Sequence, residues 1–254
     1  MAEGYDIVVV GAGPAGSRAA QAAALRGARV LLIDQRQRIG VPVQCGEFVP
    51  RWISRCAPFS SQCVIQAIEK MVTHLPDHGS YEIRSPGYML DRSLFDKELA
   101  TSAVQAGAEI SIGTRAKAFS PEGLIVGQGV KERIVKSKVI IGADGVHSSV
   151  ARWAGHPSPG ALAALQYEVV SFRPQEEVDI FFDRDYEGGY AWFFPKGKRA
   201  NVGVGVVSRK ASLLPGLLGD FTDRLKGAKK LSRVDILSRT GGAIPCEKPR
   251  QTVF

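Results

Sequence analysis

Six residues near the start of the chain constrain its fold more than any other feature, the run Gly11-Ala12-Gly13-Pro14-Ala15-Gly16. Before them, Tyr5 to Val10 is short, apolar and rich in β-branched residues, which predicts a parallel strand buried on both faces. After them, the alanine-rich run Ala15 to Arg26, with Pro14 at the first helical position and Gly27 at its end, predicts a helix. Val30 to Ile33 predicts the next buried strand, so the segment is one βαβ unit of an α/β fold.

Each glycine of this GxGxxG pattern has a physical role at a phosphate site. Gly11 makes the tight turn, Gly13 lets the backbone approach a pyrophosphate, and Gly16 lets the helix pack close to the strand. The free N–H groups and the positive dipole end of the helix then face the phosphates. Asp34, at the end of the second strand, can accept hydrogen bonds from ribose hydroxyls. Because glycines also mark ordinary turns, the flanking strand and helix carry the prediction of a dinucleotide site, which comprises Gly11, Gly13, Pro14, Ala15, Gly16, Asp34 and Gln35.

A second glycine-flanked turn, Gly142-Ala143-Asp144-Gly145, follows the predicted buried strand Val139 to Ile141. Alone it could be a simple Asp-Gly turn. With the first motif, it resembles the GADG segment of the flavoprotein hydroxylase superfamily, and this resemblance implies FAD rather than NAD, with Gly142, Asp144 and Gly145 near the ribose and pyrophosphate. Arg92-Ser93-Leu94-Phe95-Asp96 is similar to the R-x-x-F-D helix start of that superfamily, which implies that Arg92 lies close to the cofactor. The alternative is a surface arginine at the start of a helix, predicted over Leu94 to Gln105 with a Ser93/Asp96 capping box.

Two further segments resemble the archaeal-type geranylgeranyl reductases, namely Gly40-Val41-Pro42-Val43-Gln44-Cys45-Gly46-Glu47 and Tyr190-Ala191-Trp192-Phe193-Phe194-Pro195-Lys196. On a strand, Tyr190, Trp192 and Phe194 share one face and form a flat apolar wall that suits a hydrocarbon tail. With Pro195 they are the candidate substrate-binding residues, although these rings could equally fill a core. Cys45 is the candidate catalytic residue, close to the flavin ring; the alternative is a buried free cysteine that fills apolar space.

The resemblance runs from Ile7 to about Pro245 and implies a fold and a domain division. We expect an α/β protein with an FAD-binding Rossmann-type domain of the hydroxylase kind and an inserted, mostly antiparallel β-sheet substrate domain. The FAD-binding domain is predicted over residues 1–63, 86–156 and 240–254, and the substrate domain over 64–85 and 157–239. The family continues with a strand and a G-D-A-A-G motif that are not in the sequence, so we expect a truncated chain with an incomplete flavin site.

The family resemblance implies an FAD-dependent oxidoreductase that saturates isolated double bonds of geranylgeranyl chains in membrane-lipid or quinone side-chain metabolism. NAD(P)H or a ferredoxin would be the electron donor, and an isoprenoid lipid the substrate. Two alternatives stay open. One is a flavin-dependent monooxygenase or halogenase of the same fold, and the other is an inactive nucleotide-binding fragment.

Composition excludes several other classes. The formal net charge is +8, concentrated in short clusters of the kind found on solvated surfaces or facing anionic partners. No recognition-helix or RNP-like motif accompanies them, so we expect no nucleic-acid partner. The four cysteines and four histidines show no metal-ligand spacing, so we expect no metal and reduced thiols. No apolar run is long enough to span a membrane, which predicts a cytoplasmic protein with peripheral contact at the inner membrane face left open.

Overall fold

The computed structural model describes residues 4–156, 160–173 and 175–247. The chain forms two compact units. The first comprises residues 1–42, 54–60 and 92–158, and the second comprises residues 43–53, 61–91 and 159–254. No helix within the described residues is long and apolar enough to cross a membrane.

The helices are α1 (Pro14–Ala24), α2 (Ile53–Cys56), α3 (Arg92–Gln105), α4 (Ser149–Trp153) and α5 (Leu214–Gly227). The strands up to residue 142 are β1 (Gly4–Val10), β2 (Val30–Ile33), β3 (Phe48–Pro50), β4 (Val64–His74), β5 (Ser80–Leu90), β6 (Glu109–Ser111), β7 (Arg115–Ser120), β8 (Gly123–Gln128) and β9 (Lys131–Gly142). The later strands are β10 (Ala161–Val170), β11 (Glu177–Phe181), β12 (Tyr190–Lys196), β13 (Arg199–Val207) and β14 (Ile236–Pro245).

The first unit is built on a sheet with the order β6-β2-β1-β9-β8-β7. β6, β2, β1 and the second half of β9 run parallel, and β9, β8 and β7 continue the sheet as antiparallel hairpins. The apolar runs of β1 and β2 are buried because side chains from both faces of these central strands enter cores. The predicted βαβ unit is therefore confirmed.

The second unit is built on a larger sheet with the order β14-β10-β13-β12-β11-β4-β5-β3. Neighbouring strands are antiparallel except for β11 and β4, so the prediction of a mostly antiparallel sheet is confirmed. Helix α5 covers one face, where Phe193 of β12 packs in a core with Leu218 and Phe221 of the helix. Trp192 and Phe194, the alternate residues of β12, pack in a separate core on the other face.

Several local predictions differ from the structure. Helix α3 begins at Arg92, two residues before the predicted start, so Ser93 lies within the first turn and is not the N-cap that a capping box requires. The Asp96 carboxylate binds the Arg92 guanidinium. Val139, predicted to be buried, is 50% exposed. The reason is that residues 136–142 of β9 pair with β1 along one edge, while β8 pairs only with residues 131–135.

The compact units also divide the chain at residues other than those predicted. Residues 43–53 and 61–63, predicted within the FAD-binding domain, belong to the second unit, and so do residues 86–91. Gly241 and Gly242, within the predicted FAD-binding range 240–254, lie in β14 and pair with β10 of the second unit. Residues 1–3, 157–159, 174 and 248–254 of the predicted ranges lie outside the described residues.

One glycine of β13 decides how β12 packs. A Cβ atom on Gly203 would lie 2.1 Å from Cζ2 of Trp192, its cross-strand partner, so the indole lies directly on the glycine backbone. We expect Gly203→Ala to lower the free energy of unfolding by about 1–3 kcal/mol, as overpacking does. The matched control is Gly219→Ala in α5, where a Cβ meets no atom within 4 Å. Because alanine favours helix, this control should raise stability by up to about 1 kcal/mol. Chemical denaturation of both variants is the measurement, and equal effects would contradict the packing argument.

Candidate functional site

The two glycine motifs meet in the first unit. Gly11 has a φ of +102°, and a Cβ on it would lie 2.3 Å from the carbonyl oxygen of Ala143. A Cβ on Gly16 would lie 1.8 Å from the carbonyl oxygen of Gly11 and 3.1 Å from Cβ of Ala143. The amide of Ala143 donates to the Val10 carbonyl over 2.8 Å, which extends the pairing of β1 with β9. The first turn of α1 and the Asp144 turn are thus held together by contacts that side chains would prevent.

The N-terminus of α1 is built to receive an anion. Gly13 is its N-cap and makes no side-chain capping hydrogen bond, Pro14 follows, and the first turn carries no acidic residue. A Cβ on Gly13 would meet no atom within 4 Å, so the space in front of the helix is open. The first N–H groups of a helix lack intrahelical partners and favour negative charge. This arrangement fits the pyrophosphate of a dinucleotide.

Asp34 links the end of β2 to the glycine turn. Its Oδ2 accepts a hydrogen bond from the amide of Ala12 over 2.8 Å, and its Oδ1 accepts one from the amide of Arg36 over 2.8 Å. A carboxylate has about four acceptor positions, so both oxygens keep capacity for ribose hydroxyls. Gln35, the neighbouring candidate, is exposed. Asp34 is half-buried and braces the turn, and its carboxylate keeps acceptor capacity for a further donor.

Asp144 has a structural task that its sequence pattern did not reveal. Its carboxylate accepts hydrogen bonds from the hydroxyl of Ser148 and from the amide of Ser149, the latter over 2.7 Å. It thereby binds free N–H groups at the start of α4. Gly142 and Gly145, on either side, are exposed, and Gly145 has a φ of +85°. The turn thus presents backbone rather than side chains beside Gly11.

Arg92 lies at the start of α3 with its guanidinium held by one carboxylate. Its Nε and Nη2 donate to the two oxygens of Asp96 over 3.0 and 3.2 Å. Burial raises the pKa of Asp96 above its ordinary value, although the Arg92 guanidinium acts in the opposite direction. A bidentate ion pair of this kind fixes the orientation of the arginine side chain. Gly40 packs against the same helix start, since a Cβ on it would lie 2.9 Å from Cα of Ser93.

In the second unit, residues 44–47 form a loop, the Cys45 loop, that lies against one face of the sheet. The carbonyl oxygens of Cys45 and Gly46 accept hydrogen bonds from Gln166 and Asn201 over 3.2 and 3.0 Å. A Cβ on Gly46 would lie 2.9 Å from the ring of Phe194. Cys45 is a free, half-buried cysteine whose sulfur accepts a hydrogen bond from the amide of Glu47 over 3.3 Å.

The three aromatic residues of β12 share one face, as predicted. Ring centroids are 5.8 Å apart for Tyr190 and Trp192, and 6.4 Å apart for Trp192 and Phe194. Burial raises the pKa of Tyr190, and the nearby Cys45 and Cys246 act in the same direction. Pro195 does not belong to this row, because strand alternation places it with Phe193 on the opposite face.

A buried polar cluster beside this row was missed from the sequence. Lys196 Nζ lies 2.5 Å from Oε2 of Glu47, with side-chain exposures of 7% and 3%. The side-chain amide of Asn201 donates a hydrogen bond to the same carboxylate over 2.9 Å, and Oε1 of Glu168 lies 3.4 Å from Lys196 Nζ. Lys196 belongs, with Lys198 and Arg199, to one of the short basic clusters that the sequence predicts to be solvated or to face anionic partners, and for Lys196 a solvated position is wrong. One signal in the sequence could have indicated the pair: Lys196 and Glu47 are the last residues of the two segments that resemble geranylgeranyl reductases.

A cavity of about 980 Å³ also opens in the second unit, between β4 and the segment that follows β10. It is lined on one side by Gln66 and Lys70 and on the other by Phe172 and Lys198. None of the predicted site residues lines it among the described residues. We therefore assign no role to it.

Comparison with known proteins defines the class. A family model described as FAD dependent oxidoreductase matches residues 6–157, and a model described as geranylgeranyl reductase catalytic domain matches residues 161–243. The first match covers more than half of the chain and, with the glycine turn and its open helix N-terminus, places the chain in the FAD dependent oxidoreductase family. The chain belongs to the geranylgeranyl reductase family of these enzymes.

Two curated relatives are digeranylgeranylglycerophospholipid reductases. The chain is 41% identical over 237 residues to reductase 1 of Methanopyrus kandleri, a match that covers 87% of this chain and 62% of that protein. It is 35% identical over 269 residues to the reductase of Methanocaldococcus jannaschii, with 98% and 67% covered. The chain therefore spans about two thirds or less of the length of these relatives.

Two solved structures illustrate the range of the fold. A geranylgeranyl bacteriochlorophyll reductase-like protein of Thermoplasma acidophilum matches with a TM-score of 0.91 at 28% identity, covering 100% of this chain and 69% of that one. A flavin-dependent brominase matches with a TM-score of 0.77 at 18% identity, covering 94% and 68%. The second likeness shows a shared fold alone.

The glycine geometry separates a binding effect from a folding effect. Gly13 has an ordinary extended backbone and open space around it, so Gly13→Ala should fold and lose no more than the roughly 1 kcal/mol that alanine costs at an N-cap. The added methyl group would stand in front of α1 and weaken FAD binding about tenfold or more, a loss of about 1.4 kcal/mol. Gly16→Ala should instead lose thermal stability, because its methyl group meets backbone. Flavin titration and thermal melting measure both effects, and unaltered FAD affinity in Gly13→Ala would contradict the assigned pyrophosphate position.

The raised pKa of Asp96 predicts a pH effect on stability. The pKa of the Asp96 carboxyl group is higher in the folded chain than in the unfolded chain, where it is 3.8. The contribution of this carboxyl group is therefore fully present below pH 3.8 and is lost as the pH rises through the folded pKa. Asparagine does not ionise, so Asp96→Asn should gain stability relative to the parent across that window. Melting temperatures of the parent and of Asp96→Asn between pH 3.5 and about 7 test this. The control is Asp220→Asn, at an exposed position of α5. If the melting temperatures of Asp96→Asn and of the parent changed in parallel with pH, the prediction would be refuted.

Proposed function

We propose that the protein carrying this chain is a reductase that adds hydrogen to isolated double bonds of geranylgeranyl chains. The substrate class is an isoprenoid membrane lipid or a quinone side chain. The names of the curated relatives and the match of residues 161–243 support this proposal. The observation that carries it is that the Cys45 loop lies directly against the aromatic row of Tyr190, Trp192 and Phe194.

FAD is the cofactor of the family, and the first unit offers residues that fit it. We assign the pyrophosphate to the N-terminus of α1 and the ribose to Asp34. Arg92, oriented by Asp96, supplies positive charge near the phosphates. The full set that we assign to the cofactor is Gly11, Gly13, Pro14, Ala15, Gly16, Asp34, Gln35, Arg92, Gly142, Asp144 and Gly145. When bound, reduced FAD supplies the hydride for one alkene carbon.

An unactivated alkene has no carbonyl group to polarise, so the position of the proton donor matters. Cys45 is the candidate, because its thiol lies in the loop that packs on the aromatic row. The S–H bond breaks, a C–H bond forms on the second alkene carbon, and the electron pair stays on sulfur. Tyr190, Trp192 and Phe194 hold the hydrocarbon and exclude water from this position.

The electron donor and the location belong to the same proposal. NAD(P)H or a ferredoxin reduces the flavin, and a lipid substrate implies peripheral contact with the inner face of the membrane. Exposed basic residues support an anionic partner, since Lys198 and Lys229 carry charge at the surface. Lys196 does not contribute, because Glu47 neutralises it in the interior.

The assay of reduction distinguishes this function from its alternatives. The purified protein with FAD and a chemical reductant is incubated with digeranylgeranylglycerophospholipid, and the product is analysed by mass spectrometry. A gain of two hydrogens for each double bond supports the reductase. Incorporation of oxygen or halogen would instead identify a monooxygenase or halogenase, and a colourless protein that takes up no FAD would identify an inactive fragment.

The proton-donor role predicts the effect of replacing Cys45. Cys45→Ala should lower turnover by about 100-fold or more, the usual contribution of a positioned acid, while the flavin absorbance stays unchanged. Cys56→Ala is the matched control, because Cys56 is free and exposed. Turnover with the isoprenoid lipid is measured for both. Full activity of Cys45→Ala would remove Cys45 from the mechanism.

A further inference from the structure

Four successive residues of the Cys45 loop are fixed to the sheet of the second unit. The side chain of Gln44 donates to the Gly241 carbonyl over 2.7 Å, and Gln166 and Asn201 donate to the next two carbonyls of the loop. Trp192 Nε1 donates to Oε1 of Gln166 over 2.9 Å, which turns the amide nitrogen of Gln166 toward the loop. The fourth residue, Glu47, is held through its side chain.

Glu47 has a backbone conformation that its residue type disfavours. Its φ is +69°, in the left-handed region where a side chain is strained. Its contacts with other strands hold it there: the buried carboxylate contacts Lys196 and Asn201, and the Glu47 carbonyl accepts a hydrogen bond from the amide of Leu90 over 3.0 Å. In this conformation, the Glu47 amide donates to Sγ of Cys45 over 3.3 Å.

We propose that Glu47 is a positioning residue for Cys45. Its carboxylate, anchored by Lys196 and Asn201, holds residue 47 so that the backbone N–H donates to the Cys45 sulfur. This inference rests on the proposed function, in which the thiol gives its proton to an alkene carbon and keeps the electron pair. An N–H donor that already points at the sulfur stabilises the negative charge as it develops, without any reorganisation during the step.

Two substitutions of Glu47 test the anchor. Glu47→Gln keeps a hydrogen-bonding oxygen and loses the charge, and Lys196 retains Glu168 as its partner. Glu47→Gly removes the anchor, yet allows the positive φ without strain. The matched control is Glu82→Gln, which removes an exposed ion pair with Lys70 on another strand. Thermal melting and FAD absorbance establish which variants fold.

The first readout is the rate at which iodoacetamide alkylates Cys45 at neutral pH, followed by mass spectrometry of the Cys45 peptide. The attacking species is the thiolate, so loss of the hydrogen bond from the residue 47 amide to the Cys45 sulfur slows the reaction. We expect Glu47→Gly to be alkylated about tenfold more slowly than the parent, which corresponds to about 1.4 kcal/mol. Glu47→Gln should fall between them, and Glu82→Gln should match the parent.

The second readout is turnover. Glu47→Gly should lower kcat about tenfold and leave KM nearly unchanged, because the substrate wall is intact and the proton step is impaired. Equal or faster alkylation of Cys45 in a folded Glu47→Gly protein would overturn the proposal. Failure of the proposed function is a separate result: Cys45→Ala would then remain active, while the alkylation rates would still report the orientation of the Glu47 amide.

Discussion

The first unit depends on a backbone-to-backbone approach that tolerates no side chain. The space that a Cβ of Gly16 would occupy is filled by the Gly11 carbonyl, and the space beside Gly11 is filled by the Ala143 carbonyl. These contacts bring the carboxyl ends of β1 and β9 together with the start of α1. Ligands of open α/β sheets bind at such strand ends. The open face of Gly13 and the oxygens of Asp34, which we propose for the cofactor, acquire their positions from this packing.

The alternation of side chains along β12 gives the second unit two separate packed faces. Ala191 and Phe193 face α5 and belong to the core that the helix covers. Tyr190, Trp192 and Phe194 face the other way, where Gly203 lets the indole of Trp192 lie on the backbone. A one-residue shift in the register of β12 would exchange these two sets. The helix-covered core therefore fixes the register in which the aromatic row is presented to the Cys45 loop.

The sequence predicted the features that depend on short-range patterns. The glycine turn, the flanking strands and the shared face of the β12 aromatics all follow from residue spacing, and the structure agrees. The partners of the Cys45 loop could not be predicted in this way. Asn201 and Gly46 are 155 positions apart, and Lys196 and Glu47 are 149 apart. A lysine beside other basic residues has the same local pattern whether it is solvated or buried, so only the fold reveals its partner.

The buried Lys196–Glu47 pair is poorly explained by stability. Removing two charges from water is costly, and apolar side chains of similar size often stabilise a core equally well. A pair with side-chain exposures of 7% and 3% therefore requires another reason to occupy this position. Unlike an apolar contact, which has little direction, the pair and the Asn201 hydrogen bond hold the carboxylate of residue 47 at one place. That restraint maintains a left-handed glutamate and aims its amide at a sulfur atom. The electrostatic cost is thus linked to the orientation of a single N–H group, which an apolar replacement of equal volume would not reproduce.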